Sequence, residues 1–132
     1  MSEILVTGGL GKFGSWTVDQ LAAQGHDVVS LDLRTPNAVR SNVNFLNADL
    51  TDYGETREII ESTSPDTVIH IAAIPDPVNH AGHRVFKNNV MSAYNVLDAA
   101  GSVGADIIWS SSVATYGLDF AHEPWIPDEL PV

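Results

Sequence analysis

A chain of 132 residues, 44% of them apolar, can bury one core and is too short for two ordinary domains. Seventeen acidic residues against six basic ones give a net charge of −11, which repels nucleic acid and anionic membranes, so neither is expected as a partner. The chain has no cysteine, which excludes disulfides, thiolate metal sites and cysteine nucleophiles together; any redox chemistry must come from a bound cofactor.

The opening MSEILVTGG runs into a strand without a charged and greasy leader, and no run approaches the roughly 18 apolar residues of a membrane span. A soluble, cytoplasmic protein is expected. Only Lys12 and Lys87 are lysines and the acids are scattered. That surface reads either as adaptation to high salt or as an ordinary acidic enzyme. A melting temperature that does not rise from dilute buffer to molar KCl counts against the first.

In chain order, apolar runs alternate with segments of helical period, the pattern of βαβ units whose strands are covered on both faces. Strands are predicted at Ile4–Thr7, Val28–Asp32, Val43–Asn47, Thr67–Ile71 and Ile107–Ser110, with helices at Gly11–Gln24, Tyr53–Ser62 and Arg84–Val103. Gly25 ends the first helix in the left-handed region, and Ser64 with Pro65 closes the second. Right-handed crossovers then give an α/β doubly wound parallel sheet, a Rossmann fold in the order 3-2-1-4-5. After Tyr116 the periodicity fails and GLDFAHEPWIPDELPV reads as a loop. Residues 1–132 are accordingly expected to be one incomplete domain, truncated after about five strands and lacking its C-terminal part.

The first strand feeds glycines 8, 11 and 14 as a helix begins. Gly8 permits the tight turn, Gly11 removes a Cβ from the path of a pyrophosphate, and Gly14 allows close packing of helix and strand. The first-turn amides near Lys12 and Phe13 then face the phosphate charge with the positive end of the helix dipole. Asp32, at the end of the second strand, can accept from the adenosine ribose hydroxyls and repels a 2′-phosphate. NAD is therefore expected over NADP, although Arg34 stands two residues on and could partly accommodate that phosphate. Without the glycine loop, Asp32 would read as a solvated acid at a strand end.

With these residues in place the sequence resembles the extended short-chain dehydrogenases, which include UDP-galactose epimerase, nucleotide-sugar dehydratases and sugar dehydrogenases. Thr7 to Gly14 is similar to that family's TGGxGxxG loop. Asp49-Leu50-Thr51-Asp52 resembles its D-hydrophobe-x-D element, whose first two residues meet the adenine. His70-Ile71-Ala72-Ala73 resembles its H-x-A-A turn beneath the cofactor. Asn89-Val90 with Asn95-Val96-Leu97 is similar to its NVxGTxNLLEA helix, and Ser110 to Gly117 is similar to its S-S-x-x-x-Y-G stretch.

The resemblance implies an NAD-dependent epimerase, dehydratase or dehydrogenase acting on a sugar, sugar nucleotide or similar polyol. Gly8, Gly11, Lys12, Phe13, Gly14, Asp32, Arg34, Asp49, Leu50, Ala72, Ala73, Asn89, Ser110 and Ser111 are its implied cofactor residues. Ser112 is the implied catalytic hydroxyl, with Ser111 the alternative by one place. Position alone selects neither, since a serine at a strand end often bonds only nearby backbone. Tyr116 is not the family's working tyrosine, which belongs to a YxxxK motif that this sequence lacks. Proton transfer needs that tyrosine and its lysine, so the chain by itself is expected to be inactive, with the motif beyond Val132. A non-catalytic NAD-binding sensor is the alternative.

His80 and His83 have a helical spacing but no evident third ligand, and read as solvent-facing or substrate-loop residues rather than a metal site. Asp76, between Pro75 and Pro77 after the fourth strand, is placed to shape a substrate pocket, or simply a rigid loop. Phe13 and Trp16 on the first helix, and Phe86, Val90, Tyr94 and Leu97 on the long one, read as core faces. By the resemblance, the long helix also pairs with its counterpart in a homodimer.

Overall fold

The computed structural model describes residues 2–36, 42–76 and 78–112. Five strands form one parallel sheet in the order β3-β2-β1-β4-β5. They are β1 Glu3–Thr7, β2 Asp27–Asp32, β3 Val43–Asn47, β4 Thr67–His70 and β5 Asp106–Trp109. The helices are α1 Lys12–Ala23, α2 Tyr53–Thr63 and α3 Gly82–Val103. Each boundary lies within two residues of its sequence expectation, and the doubly wound order is as expected. The apparent five-strand limit and the stretch from Val113 to Val132, with Tyr116, lie at or outside the described residues.

Alternation along the strands divides the core into two layers. Ile4 and Val6 of β1, with Val28 and Val43, meet Val18, Leu21 and Ala22 of α1. Leu5, Val29, Leu31 and Val68 point the other way and meet Ile60 of α2 and Val96, Ala99 and Ala100 of α3. Helices thus cover both faces, which is why the strands read as continuous apolar runs.

Local stops follow the sequence. Gly25 has φ +86° and Gly104, after α3, φ +73°, both left-handed terminators. Ser64 also adopts this region at φ +45°, and Pro65 forbids further helix. At the start of α2, the Asp52 side chain accepts from Glu55 N at 3.0 Å, so this helix is capped by its own carboxylate.

The expected core faces were wrong for all four aromatics and for Val90. Phe13 and Trp16 stack on one another at 6.4 Å but each remains 60% exposed. Phe86, Val90 and Tyr94 lie on the outer side of α3, and only Leu97 of that set is half-buried. The buried face of α3 is built instead from Ser92, Ala93, Asn95, Val96, Ala99 and Ala100. Small side chains let the helix approach the sheet and α2 closely, so residue size misidentified the inner stripe. No helix among the described residues is long and apolar enough to cross a membrane.

Candidate functional site

The carboxyl ends of β1, β2, β3 and β4 open onto a cavity of about 480 Å³. At its β1 end, Gly8 N donates to Leu31 O at 2.7 Å and Gly11 N returns to Gly8 O at 2.9 Å, folding the loop back before α1 begins. Gly8 has φ +69°, and a Cβ on it would lie 2.9 Å from the Ala72 backbone. A Cβ on Gly14 would overlap the Gly8 carbonyl oxygen. The turn and the tight helix-to-loop packing therefore both require glycine.

Unlike α2, helix α1 starts without a side-chain cap: Gly11 provides none, and no acidic residue occupies the first turn. The first-turn amides, which have no intrahelical acceptor, are left bare where Gly11, Lys12, Phe13 and Gly14 line the cavity. Bare amides, the helix dipole and Lys12 together suit an anion. The residues present thus fit the phosphates of a dinucleotide on geometric grounds.

Asp32 lies at the end of β2 on the same cavity. Its Oδ2 accepts from Leu10 N at 3.1 Å, tying it to the glycine loop, while Oδ1 accepts from Arg34 N at 3.1 Å and Arg34 Nε at 3.2 Å. The guanidinium is mostly exposed and the carboxylate mostly shielded. Beyond it, Ala48, Asp49 and Leu50 form the wall after β3. Asp49 accepts from Thr51 N at 2.9 Å and Thr51 Oγ1 at 2.8 Å. Those hydrogen bonds, the backbone one first, hold its carboxyl below the usual range. Its own amide donates to Glu55 Oε2 at 2.9 Å, so the loop is fixed at both ends.

On the opposite side, Thr7 Oγ1 accepts from Ile71 N at 3.1 Å and Ala72 N at 3.2 Å and lies 2.8 Å from His70 Nδ1. This anchors the turn carrying Ala72 and Ala73, both of which line the cavity. Burial pushes His70 down to about 4, keeping the imidazole neutral near neutral pH.

Gly8, Gly11, Lys12, Phe13, Gly14, Asp32, Arg34, Asp49, Leu50, Ala72 and Ala73 are thus brought together. Asn89 is not on the wall. Its side chain accepts from Ile74 N at 2.8 Å and donates to Ile74 O at 3.1 Å, clamping the loop after β4 to α3. Its neighbour Asn88 faces the cavity instead, together with Ser92, Ile74 and Pro75. One residue on a helix turns a side chain by about 100°, and the motif match offered no signal to choose between two adjacent asparagines.

Ser110, Ser111 and Ser112 follow β5 at the same sheet edge but do not line this cavity. Ser110 N and Oγ both donate to His70 O, at 3.2 and 3.3 Å. Asp76 accepts from Val78 N at 2.8 Å and also binds the Asn79 side chain, closing a local turn; Pro77 lies outside the described residues. His80 and His83 are exposed. Among the described residues there is no group of three or more potential metal ligands.

Known proteins are similar to this chain in sequence and fold. A UDP-glucose 4-epimerase of Lacticaseibacillus casei is 36% identical over 125 residues, covering 86% of this chain and 36% of that protein. The chain therefore spans little more than a third of that relative's length. A solved UDP-glucose 4-epimerase of Stenotrophomonas maltophila, with bound NAD and formylated UDP-arabinopyranose, aligns with a TM-score of 0.75 at 27% identity. That match covers 89% of this chain and 39% of the other. An L-threonine dehydrogenase of Clostridium difficile aligns with a TM-score of 0.77 at 27% identity, covering 87% of this chain and 38% of the other. Residues 4–130 match the model of one family along nearly the whole sequence, and the chain belongs to it: the NAD dependent epimerase/dehydratase family.

Proposed function

We propose that residues 1–132 form the dinucleotide-binding domain of an NAD-linked enzyme of sugar nucleotide chemistry. The observation that carries this reading is the uncapped start of α1 lying on one cavity with the Asp32 carboxylate. In the proposed pose, the amides around Gly11 to Gly14 and Lys12 hold the pyrophosphate. Asp32 accepts from the adenosine ribose, Asp49 and Leu50 border the adenine, and Ala72 and Ala73 support the cofactor from below. Asn89 acts by holding the Ile74 loop, and Asn88 takes the position on the wall. The bound dinucleotide would supply hydride transfer.

NAD is preferred over NADP because a 2′-phosphate beside Asp32 is repelled, and Arg34 is already engaged by that carboxylate. A small polyol substrate, a UDP-sugar above all, is supported by the epimerase relatives. The likeness to an L-threonine dehydrogenase belongs to the same nucleotide-binding region, so it bears on the cofactor more than on the substrate. Ser112 is the hydroxyl proposed to meet the reacting oxygen, with Ser110 and Ser111 at the cofactor edge. The acidic composition accords equally with tolerance of high salt and with an ordinary acidic enzyme.

The second reading is a sensor that binds NAD without turnover; Ser111 and Ser112, hydroxyls that follow β5 at the carboxyl edge of the sheet, favour the enzyme over it. Calorimetric titration with NAD and NADP tests the binding reading, and an assay of NADH formation over a panel of nucleotide sugars separates enzyme from sensor. Failure to bind either dinucleotide overturns both.

A further inference from the structure

Helical serines and threonines usually return their hydroxyl to a carbonyl three or four residues back. Here Ser15 bonds Lys12 O, Thr17 bonds Phe13 O and Thr56 bonds Asp52 O. Ser62 and Thr63 bond Ile59 O, and Ser102 bonds Ala99 O. Ser92 in the middle of α3 is the exception among the described residues. It is 2% exposed, and its Oγ has no hydrogen-bond partner.

A buried hydroxyl left unpaired is costly, and such groups usually have a partner that arrives from elsewhere. Ser92 lines the cavity, one helical turn beyond Asn88, which lines it as well. Three residues further along α3, Asn95 Nδ2 donates to Leu50 O at 2.9 Å, which places this stretch of the helix against the wall formed by Ala48, Asp49 and Leu50. Along the sheet edge the cavity runs from the bare α1 amides to Asp32 and then to that wall. A nucleotide with phosphate on α1 and ribose on Asp32 therefore extends its base toward Leu50 and Ser92.

We propose that Ser92 is a base-reading residue, whose hydroxyl hydrogen-bonds the ring edge of a purine seated between Leu50 and α3. This rests on the dinucleotide reading above. A hydroxyl both donates and accepts, so it can pair with a ring nitrogen or an exocyclic amine by rotation alone.

The test is Ser92→Ala in the 132-residue chain, titrated calorimetrically with NAD, AMP and nicotinamide mononucleotide. Loss of one hydrogen bond should weaken NAD and AMP by the same factor, about 3- to 10-fold. The mononucleotide, which carries no purine, should be unaffected. The melting temperature of the unliganded variant should not fall, because no protein hydrogen bond is removed. Unchanged AMP affinity overturns the proposal, and with a lowered melting temperature it identifies an internal water as the hydroxyl's partner. Equal weakening of all three ligands also overturns it, by showing a general disturbance of the cavity. If the wild-type chain binds neither NAD nor AMP, the dinucleotide reading itself fails first. If wild type binds AMP and only the Ser92 effect is missing, that reading stands and this one falls.

Discussion

Thr7 and His70, paired across β1 and β4, share a hydrogen bond whose direction is determined by their neighbours. Thr7 Oγ1 already accepts from the amides of Ile71 and Ala72, so its own proton goes to His70 Nδ1. The imidazole consequently carries its proton on Nε2 and accepts through Nδ1. Thr7→Val keeps the shape but strands two amides and the ring nitrogen. We expect a loss of about 2–4 kcal/mol, read from the urea midpoint, and a loosened Ala72 turn. A change under about 0.5 kcal/mol would mean that water replaces the hydroxyl.

The same pair makes stability depend on pH. His70 is pushed down to about 4 in the fold by burial, below its ordinary value of 6.5. The neutral form is favoured in the fold, so this contribution is complete above the unfolded value and drains as pH falls from about 6.5 toward 4. The difference corresponds to about 3 kcal/mol at its full extent. Asp49, held low by Thr51, acts in a lower window: its contribution is present above about 3.8 and is lost as pH falls further. Unfolding midpoints of wild type and His70→Asn between pH 7 and 4 should converge as pH falls. Parallel curves would assign the acid sensitivity to other groups.

Gly14 and Gly101 offer a matched contrast between two helical glycines. A Cβ at Gly14 would overlap Gly8 O and stand 2.8 Å from Gly8 C, whereas one at Gly101 meets nothing within 4 Å. Gly14→Ala should reduce NAD affinity at least about 10-fold and destabilise the chain by about 1–3 kcal/mol through overpacking. Gly101→Ala should stabilise it by about 0.5 kcal/mol through helix propensity. Titration and thermal unfolding of the two variants check the pair, and retained binding in Gly14→Ala would contradict the proposed phosphate loop.

The strands were legible because burial on both faces leaves an unmistakable apolar run, and Gly25 and Ser64-Pro65 mark helix ends by backbone chemistry alone. The glycine loop and Asp32 were legible for the same reason: spacing at a strand-to-helix junction constrains geometry. Burial of α3 was not. Its inner stripe of Ala93, Val96, Ala99 and Ala100 is less conspicuous than Phe86 and Tyr94, yet only the small residues fit the close approach to α2 and the sheet. Neither the cavity-facing position of Asn88 in place of Asn89 nor that of Ser92 could be read from spacing, since both depend on the rotation of one helix about its axis.

The outer stripe of α3 supports a prediction about assembly. Phe86, Val90 and Tyr94 recur every four residues and are all exposed, an apolar band suited to a second copy of the chain. If that helix pairs in a homodimer, Phe86→Ser with Tyr94→Ser should yield monomers by sedimentation while barely changing unfolding at low concentration. Val96→Ala on the buried stripe should do the opposite, costing about 1–3 kcal/mol without altering association. A wild-type chain that stays monomeric at high concentration would remove this surface as the contact.

On the proposed dinucleotide reading, cofactor choice rests on Asp32 and Arg34, and their contacts predict different consequences for each. Asp32 binds Leu10 N through one oxygen and Arg34 through the other, so it both steadies the glycine loop and restrains the guanidinium. Asp32→Ala removes the ribose acceptor, the loop tie and the repulsion of a 2′-phosphate together. NAD should weaken by about 1–3 kcal/mol, while Arg34, released from its partner, becomes free to meet a phosphate. NADP should therefore weaken less than NAD, or gain. Asp32→Asn keeps an oxygen for Leu10 N, so comparing the two variants separates loop disturbance from lost charge. Arg34→Ala should leave NAD within about 3-fold, because an exposed ion pair contributes little. In the Asp32→Ala background, however, it should cancel any gain for NADP. Parallel titrations of NAD and NADP with the single and double variants test this coupling. Equal loss of both dinucleotides in Asp32→Ala, with no further effect of Arg34→Ala, would show that Asp32 acts only through the loop.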